Sequence, residues 1–268
     1  MAIPPDASFL SWTLWAARFS LCSAALAAAS LFDLRDREVP DALWALAIPP
    51  LAFLTALWLL ENPGLAPVAL LSILLAVLLA GLIYYTGLMG GADAKALVLV
   101  ALACPLKGPW AILTGHPFTP LATFSNALLL SALTSVCLLA KNLAWKARTG
   151  LPLFEGLRAP LAVKALVLLT GFKMRTRDVL EGRRHVFPLE AVREDGSREL
   201  SPALKVDALY ERLGELREAG DPALLPEYIW VSPSLPMVAF LTAGFIMAFF
   251  LGDILFSAIL ALIEVLLA

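Results

Sequence analysis

Charge is scarce in this chain. Asp, Glu, Lys and Arg make up 16% of its 268 residues, whereas 60% are hydrophobic. A composition this apolar, with mean hydropathy +0.82, is too poor in polar residues for an ordinary soluble domain and points to several membrane spans. No stretch concentrates basic residues among aromatic ones, and the formal net charge is -2, which excludes a nucleic acid partner. Cysteine is nearly absent. Cys22, Cys104 and Cys137 stand singly in apolar runs without a CxxC pair. That excludes a disulfide framework and a zinc site and makes all three lipid-buried packing residues. The two histidines, His116 and His185, lie in different regions without acidic or cysteine neighbours at ligand spacing, so neither a metal nor a cofactor is expected.

What charge there is falls unevenly. Two-thirds of it lies within Lys141 to Val231, so a polar domain interrupts a membrane core. Before it, Ala16 to Phe32 is a continuous alanine-rich apolar run that forms span one, with Arg18 snorkelling at its outer end. No basic segment precedes this run and a charged turn follows it, which argues against a signal peptide. The turn is Asp33-Leu34-Arg35-Asp36-Arg37-Glu38-Val39-Pro40-Asp41, and Arg35 and Arg37 mark it as cytoplasmic.

Ala42 to Leu60 is span two, with a kink expected at Pro49-Pro50, and Glu61 to Gly64 is a tight turn. Ala66 to Leu88, uncharged over roughly 35 Å of helix, is span three. Span four starts at Ala94 and meets Pro105 after about 20 Å, which is short for a bilayer; either it continues unevenly through Trp110 to Leu113 or the bilayer thins around it. Leu121 to Ala140 is span five, ending at Lys141, Lys146 and Arg148 on the cytoplasmic side. Span six starts at Pro236, and Ile254 to Ala268 either extends its helix or turns along the outer surface.

Within the polar region, Pro160 to Leu169 is apolar but too short to span, and an interfacial position is favoured over packing beneath the domain. His185 to Val192 and Arg198 to Leu200 flank Glu194-Asp195-Gly196-Ser197, the pattern of a hairpin. Ser201-Pro202 starts a helix to about Ala219 whose apolar face, from Val206 to Leu216, belongs to a core. The fold class expected is an all-α integral membrane protein of about six transmembrane helices, with a small α+β cytoplasmic domain between spans five and six. In residue numbers this gives an N-terminal extension over 1–15, a membrane core over 16–140, the polar domain over 141–231 and a C-terminal membrane region over 232–268. Both termini lie outside.

Asp93 is the one acidic residue between Glu61 and Glu155, in the polar break Met89-Gly90-Gly91-Ala92-Asp93-Ala94-Lys95. An ionisable group beside hydrocarbon is costly and functional by default. Span parity supplies a partner. If span one ends at the cytoplasm, span two leaves and span three returns, so Asp93 emerges on the same side as Asp33. Asp253 lies roughly 25 Å along span six, near the opposite face, and is left out of the site. Asp36, Glu38 and Asp41 are read as a solvated loop face. Gly90 and Gly91 allow close backbone approach or form a plain turn; Lys95 gives the pair electrostatic support or anchors the chain at headgroups.

These residues carry a resemblance. Asp33 with Arg35, Arg37, Val39, Pro40 and Asp41, then Gly90-Gly91-Ala92-Asp93-Ala94-Lys95 sixty residues on, resembles the paired signature of archaeal preflagellin and type IV prepilin peptidases. Tyr228 to Pro233 leading into Pro236, and Gly252-Asp253-Ile254-Leu255, are similar to the segment after the soluble domain in the archaeal branch. The resemblance implies a six-span GxGD-type aspartyl peptidase that cuts leader peptides from archaellin or pilin precursors at the cytoplasmic membrane face, with Asp33 and Asp93 as its catalytic aspartates. Ala92 departs from it, standing where the second glycine is usual. If that position needs positive φ, alanine costs about 1 kcal/mol and the turn differs in shape.

The expected substrates are precursors with a basic leader and an apolar helix that enters the bilayer. The alternative from another class is a proton-coupled transporter using membrane-edge Asp and Lys, which would place acids mid-span and show internal repeats that are not seen. The presenilin group shares a GxGD-like motif, but Asp33 is followed at once by charges, favouring cleavage at the membrane surface. Bacterial prepilin peptidases often add an N-methyltransferase region with paired CxxC motifs, and its absence argues for peptidase activity alone.

Overall fold

The computed structural model describes residues 9–108, 111–113, 115–181, 186–192, 198–200 and 226–267. They form two compact units, Met1–Ser131 with Pro236–Ala268, and Ala132–Leu235.

The first unit is helical. Helix α1 (Phe9–Asp36) leads through a short turn to α2 (Asp41–Glu61), which runs without interruption past Pro49 and Pro50. A 3-10 turn at Pro63–Leu65 then opens α3 (Ala66–Tyr85). Helices α4 (Gly91–Ala103), α5 (Thr119–Thr149), α8 (Met237–Phe250) and α9 (Ile254–Leu267) follow, α5 ending in the second unit. Four of these, α1, α2 with α3, and α5, are long and apolar enough to cross a membrane; α8 and α9, bent by 57°, make a fifth if they count as one span. Among the described residues the chain is therefore mostly helical, with four to five candidate spans and a small sheet region. Leu70, Leu74, Leu78 and Leu82 on the outward face of α3 are exposed, as a lipid-facing helix requires.

Helix α4 has only 13 residues because Pro105 follows and has no N–H to continue it. It is also enclosed: Ala96, Leu99, Val100 and Ala103 pack with Cys22, Leu26 and Ala29 of α1, Trp44 and Leu51 of α2, and Val238, Leu241 and Phe245 of α8. A helix apolar all round is one buried on all sides. Side chains from two flanking helices bind its C-terminal end, Thr55 to the Leu102 carbonyl and Ser72 Oγ to the Pro105 carbonyl at 2.6 Å. Ile112 and Leu113 do not prolong α4. They donate backbone hydrogen bonds to the carbonyls of Phe250 and Leu251.

Arg18 corrects the sequence reading. It does not snorkel: the residue is 1% exposed, its guanidinium lies 4.3 Å from the Trp58 ring centroid, and Nε donates to the Leu14 carbonyl. An arginine stacked on an aromatic face is stabilised without reaching water. Cys22 and Cys104 are buried, whereas Cys137 faces outward on α5. Gly244 marks a close helix approach, since a Cβ there would stand 2.5 Å from the Thr123 carbonyl oxygen on α5. At Gly252, with φ +97, the chain bends and α9 leaves the line of α8.

The second unit joins the end of α5 to β1 (Leu157–Arg158), α6 (Leu161–Thr170), β2 (Phe172–Arg175), α7 (Thr176–Leu180), β3 (Val186–Pro188), β4 (Glu190–Val192), β5 (Arg198–Leu200) and β6 (Tyr228–Pro233). Two three-stranded sheets result, in the orders β1-β5-β4 and β2-β6-β3. Strands β4 and β5 pair antiparallel, Glu190 opposite Leu200, as the hairpin pattern anticipates; its turn, and the helix expected from Ser201 to Ala219, lie outside the described residues. Helix α6 buries Val167 among Leu157, Leu189 and Trp230 and leaves Leu161, Leu166 and Leu169 exposed. It packs on the domain by one face. Glu190 is held by Arg198, by Lys173 at 3.4 Å and by the Trp230 N–H at 2.7 Å.

Candidate active site

Asp33 lies in the last turn of α1, and its neighbours explain its position. Residues before it pack into the helical core, while Arg37, one residue past the helix end, turns the chain away with φ 59. The Asp33 carboxyl, 9% exposed, accepts a 3.2 Å hydrogen bond from the Val238 N–H through Oδ2. Val238 is in the first turn of α8, where backbone donors have no intrahelical acceptor and attract an anionic group. A turn below, Ser30 Oγ and Thr242 Oγ1 are 2.7 Å apart, and lower still Phe19 stacks on Phe249. These contacts hold α1 against α8 in the register that brings Asp33 to the start of α8. The other oxygen, Oδ1, lies 3.9 Å from Nη1 of Arg37.

Asp93 sits in the first turn of α4, also 9% exposed. Its Oδ2 accepts a 3.0 Å hydrogen bond from the Gly90 N–H, the carboxylate half of a capping box. Asp33 is close enough for its charge to act on Asp93. Two carboxyl groups from helices sixty residues apart thus lie in one electrostatic neighbourhood, each with one oxygen tied to a backbone N–H.

The turn before Asp93 is not the strained one. Gly90 has φ -72, and Gly91 and Ala92 are the first helical residues of α4. Ala92 needs no positive φ, so its difference from glycine carries no backbone cost there. The left-handed residue is Gly87, φ 68, which closes α3. Gly91 lies against the Tyr84 ring, where an added Cβ would be 3.5 Å away, an ordinary contact.

Lys95 is turned to Asp41 at the start of α2, 2.5 Å from its Oδ1. Asp41 thus stays on a solvated face, as expected, and also serves as an interhelical partner. Asp253 stands at the other end of α8, where its carboxylate accepts from Ser125 at 2.8 Å and from the Phe256 N–H at 2.9 Å, and lies 3.0 Å from His116 Nε2. Those bonds cap α9 and pin the bend. No group of three or more His, Cys, Asp or Glu side chains is disposed as a metal site among the described residues.

Comparison with known proteins finds two matching families. Residues 20–140, which include Asp33 and Asp93, match the model of the Type IV leader peptidase family. Residues 163–254, which include Val238, match the family described as Archaeal Peptidase A24 C-terminus Type II. The chain is also 22% identical over 241 residues to the preflagellin peptidase of Methanococcus voltae, covering 87% of this chain and 94% of the relative. The chain belongs to the type IV leader peptidase family. It is a multi-pass membrane peptidase by family and by its apolar helices.

Two features of this candidate site were missed in the sequence. Arg37 enters the sequence reading as a topology marker and as part of the signature, without a role beside the carboxylate, although its burial beside Asp33 leaves Nε and Nη1 without a hydrogen-bond partner. The Val238 N–H has no side-chain signal at all, and Pro236 as a helix start was the one available hint.

Proposed function

We propose that this family member is an aspartyl endopeptidase that removes short leader peptides from archaellin or type IV pilin-like precursors at the cytoplasmic face of the cell membrane. The observation that carries the reading is that two largely buried carboxyl groups, Asp33 in the last turn of α1 and Asp93 in the first turn of α4, stand on helices that pack against each other. The positive-inside residues Arg35 and Arg37 support the cytoplasmic side.

Two neighbouring carboxyls do not both ionise easily, so the pair holds one proton between them. The ionised member takes a proton from a water as its oxygen adds to the scissile carbonyl. The protonated member gives its proton to the carbonyl oxygen. When the tetrahedral intermediate collapses, the C–N bond breaks, the amine leaves with a proton, and one water has been added across the peptide bond. The pair titrates as a unit. Gly90 holds one oxygen of Asp93, leaving the other for water and substrate, while Asp33 is held by the Val238 N–H on Oδ2 and faced by Arg37 on Oδ1. The substrate's basic leader would remain among headgroups while its apolar segment enters the bilayer, presenting the junction to the pair.

The test mixes detergent-solubilised protein with an archaellin or pilin precursor and compares wild type with Asp33→Asn and Asp93→Asn. Cleavage is expected for wild type alone and is expected to survive a metal chelator. Full cleavage by either variant, or loss of wild-type activity with chelator, would overturn the dyad mechanism.

A further inference from the structure

Just past the apolar part of α5, the second unit contains a cleft of about 730 Å³ that the peptidase reading does not use. Four cationic residues line it, Lys141, Arg148, Lys173 and Arg175, against one acid, Asp178; Lys173 is already paired with the buried Glu190, so the excess rests on the other three. Its walls are aromatic. Lys141 Nζ lies 3.2 Å from the Phe172 ring centroid, Arg175 Nε donates to the Tyr228 hydroxyl at 3.4 Å, and Trp145 meets Tyr228 edge-on. Asn142, also in the lining, gives its Nδ2 to the carbonyls of Leu168 and Gly171 and leaves Oδ1 without a hydrogen-bond partner.

The depth of this cleft follows from helix length. Leu121 to Ala140 is uncharged and spans roughly 30 Å, the thickness of a bilayer's hydrocarbon core. The same helix continues unbroken to Thr149, so Lys141, Trp145 and Arg148 emerge in the headgroup layer, where tryptophan and basic side chains are favoured. An excess of cations with aromatic walls at that depth matches a phosphate-bearing group whose apolar tails remain in the bilayer. A basic leader would be repelled by the same charges.

We propose that this cleft binds the headgroup of an anionic phospholipid, with Arg148 and Arg175 on the phosphate and Asn142 Oδ1 accepting from a headgroup hydroxyl. The site is independent of the aspartate pair and of the peptidase reading.

Native mass spectrometry of the full-length protein in detergent tests this, using phosphatidylglycerol, phosphatidylcholine and inorganic phosphate as probes. Wild type should retain one more phosphatidylglycerol than Arg148→Gln/Arg175→Gln and show no such difference for phosphatidylcholine. Each cation removed should weaken retention about fivefold, and Arg148→Lys should restore it. Arg148 is exposed, so Arg148→Gln alone carries the test if the double variant does not fold. Equal phosphatidylglycerol retention by wild type and Arg148→Gln, an equal gain with phosphatidylcholine, or displacement of the lipid by millimolar inorganic phosphate would overturn the headgroup assignment.

Discussion

The carboxylate of Asp33 accepts a hydrogen bond from the backbone N–H of Val238, 205 residues further along the chain. The start of α8 thereby orients the end of α1. Val238→Pro removes that donor at a first-turn position where proline is tolerated. A hydrogen bond to a charged group is worth about 1.5–3 kcal/mol, so kcat for precursor cleavage should fall about ten- to a hundredfold. Val238→Ala keeps the N–H and separates this from lost packing; equal losses in both variants would refute the orienting role.

Glycine matters at Gly87 rather than in the turn beside Asp93. Gly87→Ala forces a Cβ into φ 68 and should cost about 1 kcal/mol, read as a lower melting temperature in detergent. Ala92→Gly loosens the first turn of α4 and should also destabilise, by about 0.5–1 kcal/mol at most, with no gain in cleavage rate.

Lys95 and Asp41 form an exposed pair, their side chains 44% and 85% accessible. Lys95→Ala should therefore change stability by less than about 1 kcal/mol and leave cleavage near wild type. Arg37→Gln, by contrast, removes the cation beside Asp33 and should slow turnover more than Lys95→Ala in the same precursor assay. The reverse order would return Lys95 to the site.

Asp253 caps α9 and holds the bend, remote from the pair. Asp253→Ala should lower stability by about 1 kcal/mol through the lost cap, while retaining precursor cleavage that Asp33→Asn and Asp93→Asn lose. Abolished cleavage in a folded Asp253→Ala would place it in the site.

In the second unit, Glu190 is fully buried between Arg198 and Lys173. Glu190→Ala strands those cations and should cost about 3–5 kcal/mol, visible as rapid proteolysis within Ala132–Leu235. Burial, partly offset by Glu190, holds the Lys173 ammonium below the ordinary lysine value of 10.5. The unfolded chain thus binds that proton more tightly, so stability should rise with pH in the interval just below 10.5. Lys173→Met should flatten the rise, measured by thermal unfolding across that interval.

Hydropathy made the membrane class and the individual apolar helices legible, because each helix must present hydrocarbon along its own length. The same pattern located Asp33 and Asp93, since an acid directly at the edge of an apolar run stands out locally, and counting crossings led to the expectation that they share one side. Of the six spans expected, four to five are found among the described residues. Helix α4 is short because Pro105 stops it and neighbours enclose it, and the bend between α8 and α9 falls at Gly252, whose φ of +97 and closeness to Leu113 both disfavour a side chain.

What the sequence by itself determined is therefore the set of local decisions: where helices run, where proline and glycine end them, and which acids lie at their ends. Only the tertiary structure decided the pairings. Lys95 goes to Asp41, Arg18 stacks on Trp58 instead of reaching water, and Asp33 takes its donor from a backbone whose side chain is an ordinary valine. Such contacts join residues distant in the chain through single polar atoms, and they leave no periodic trace along it.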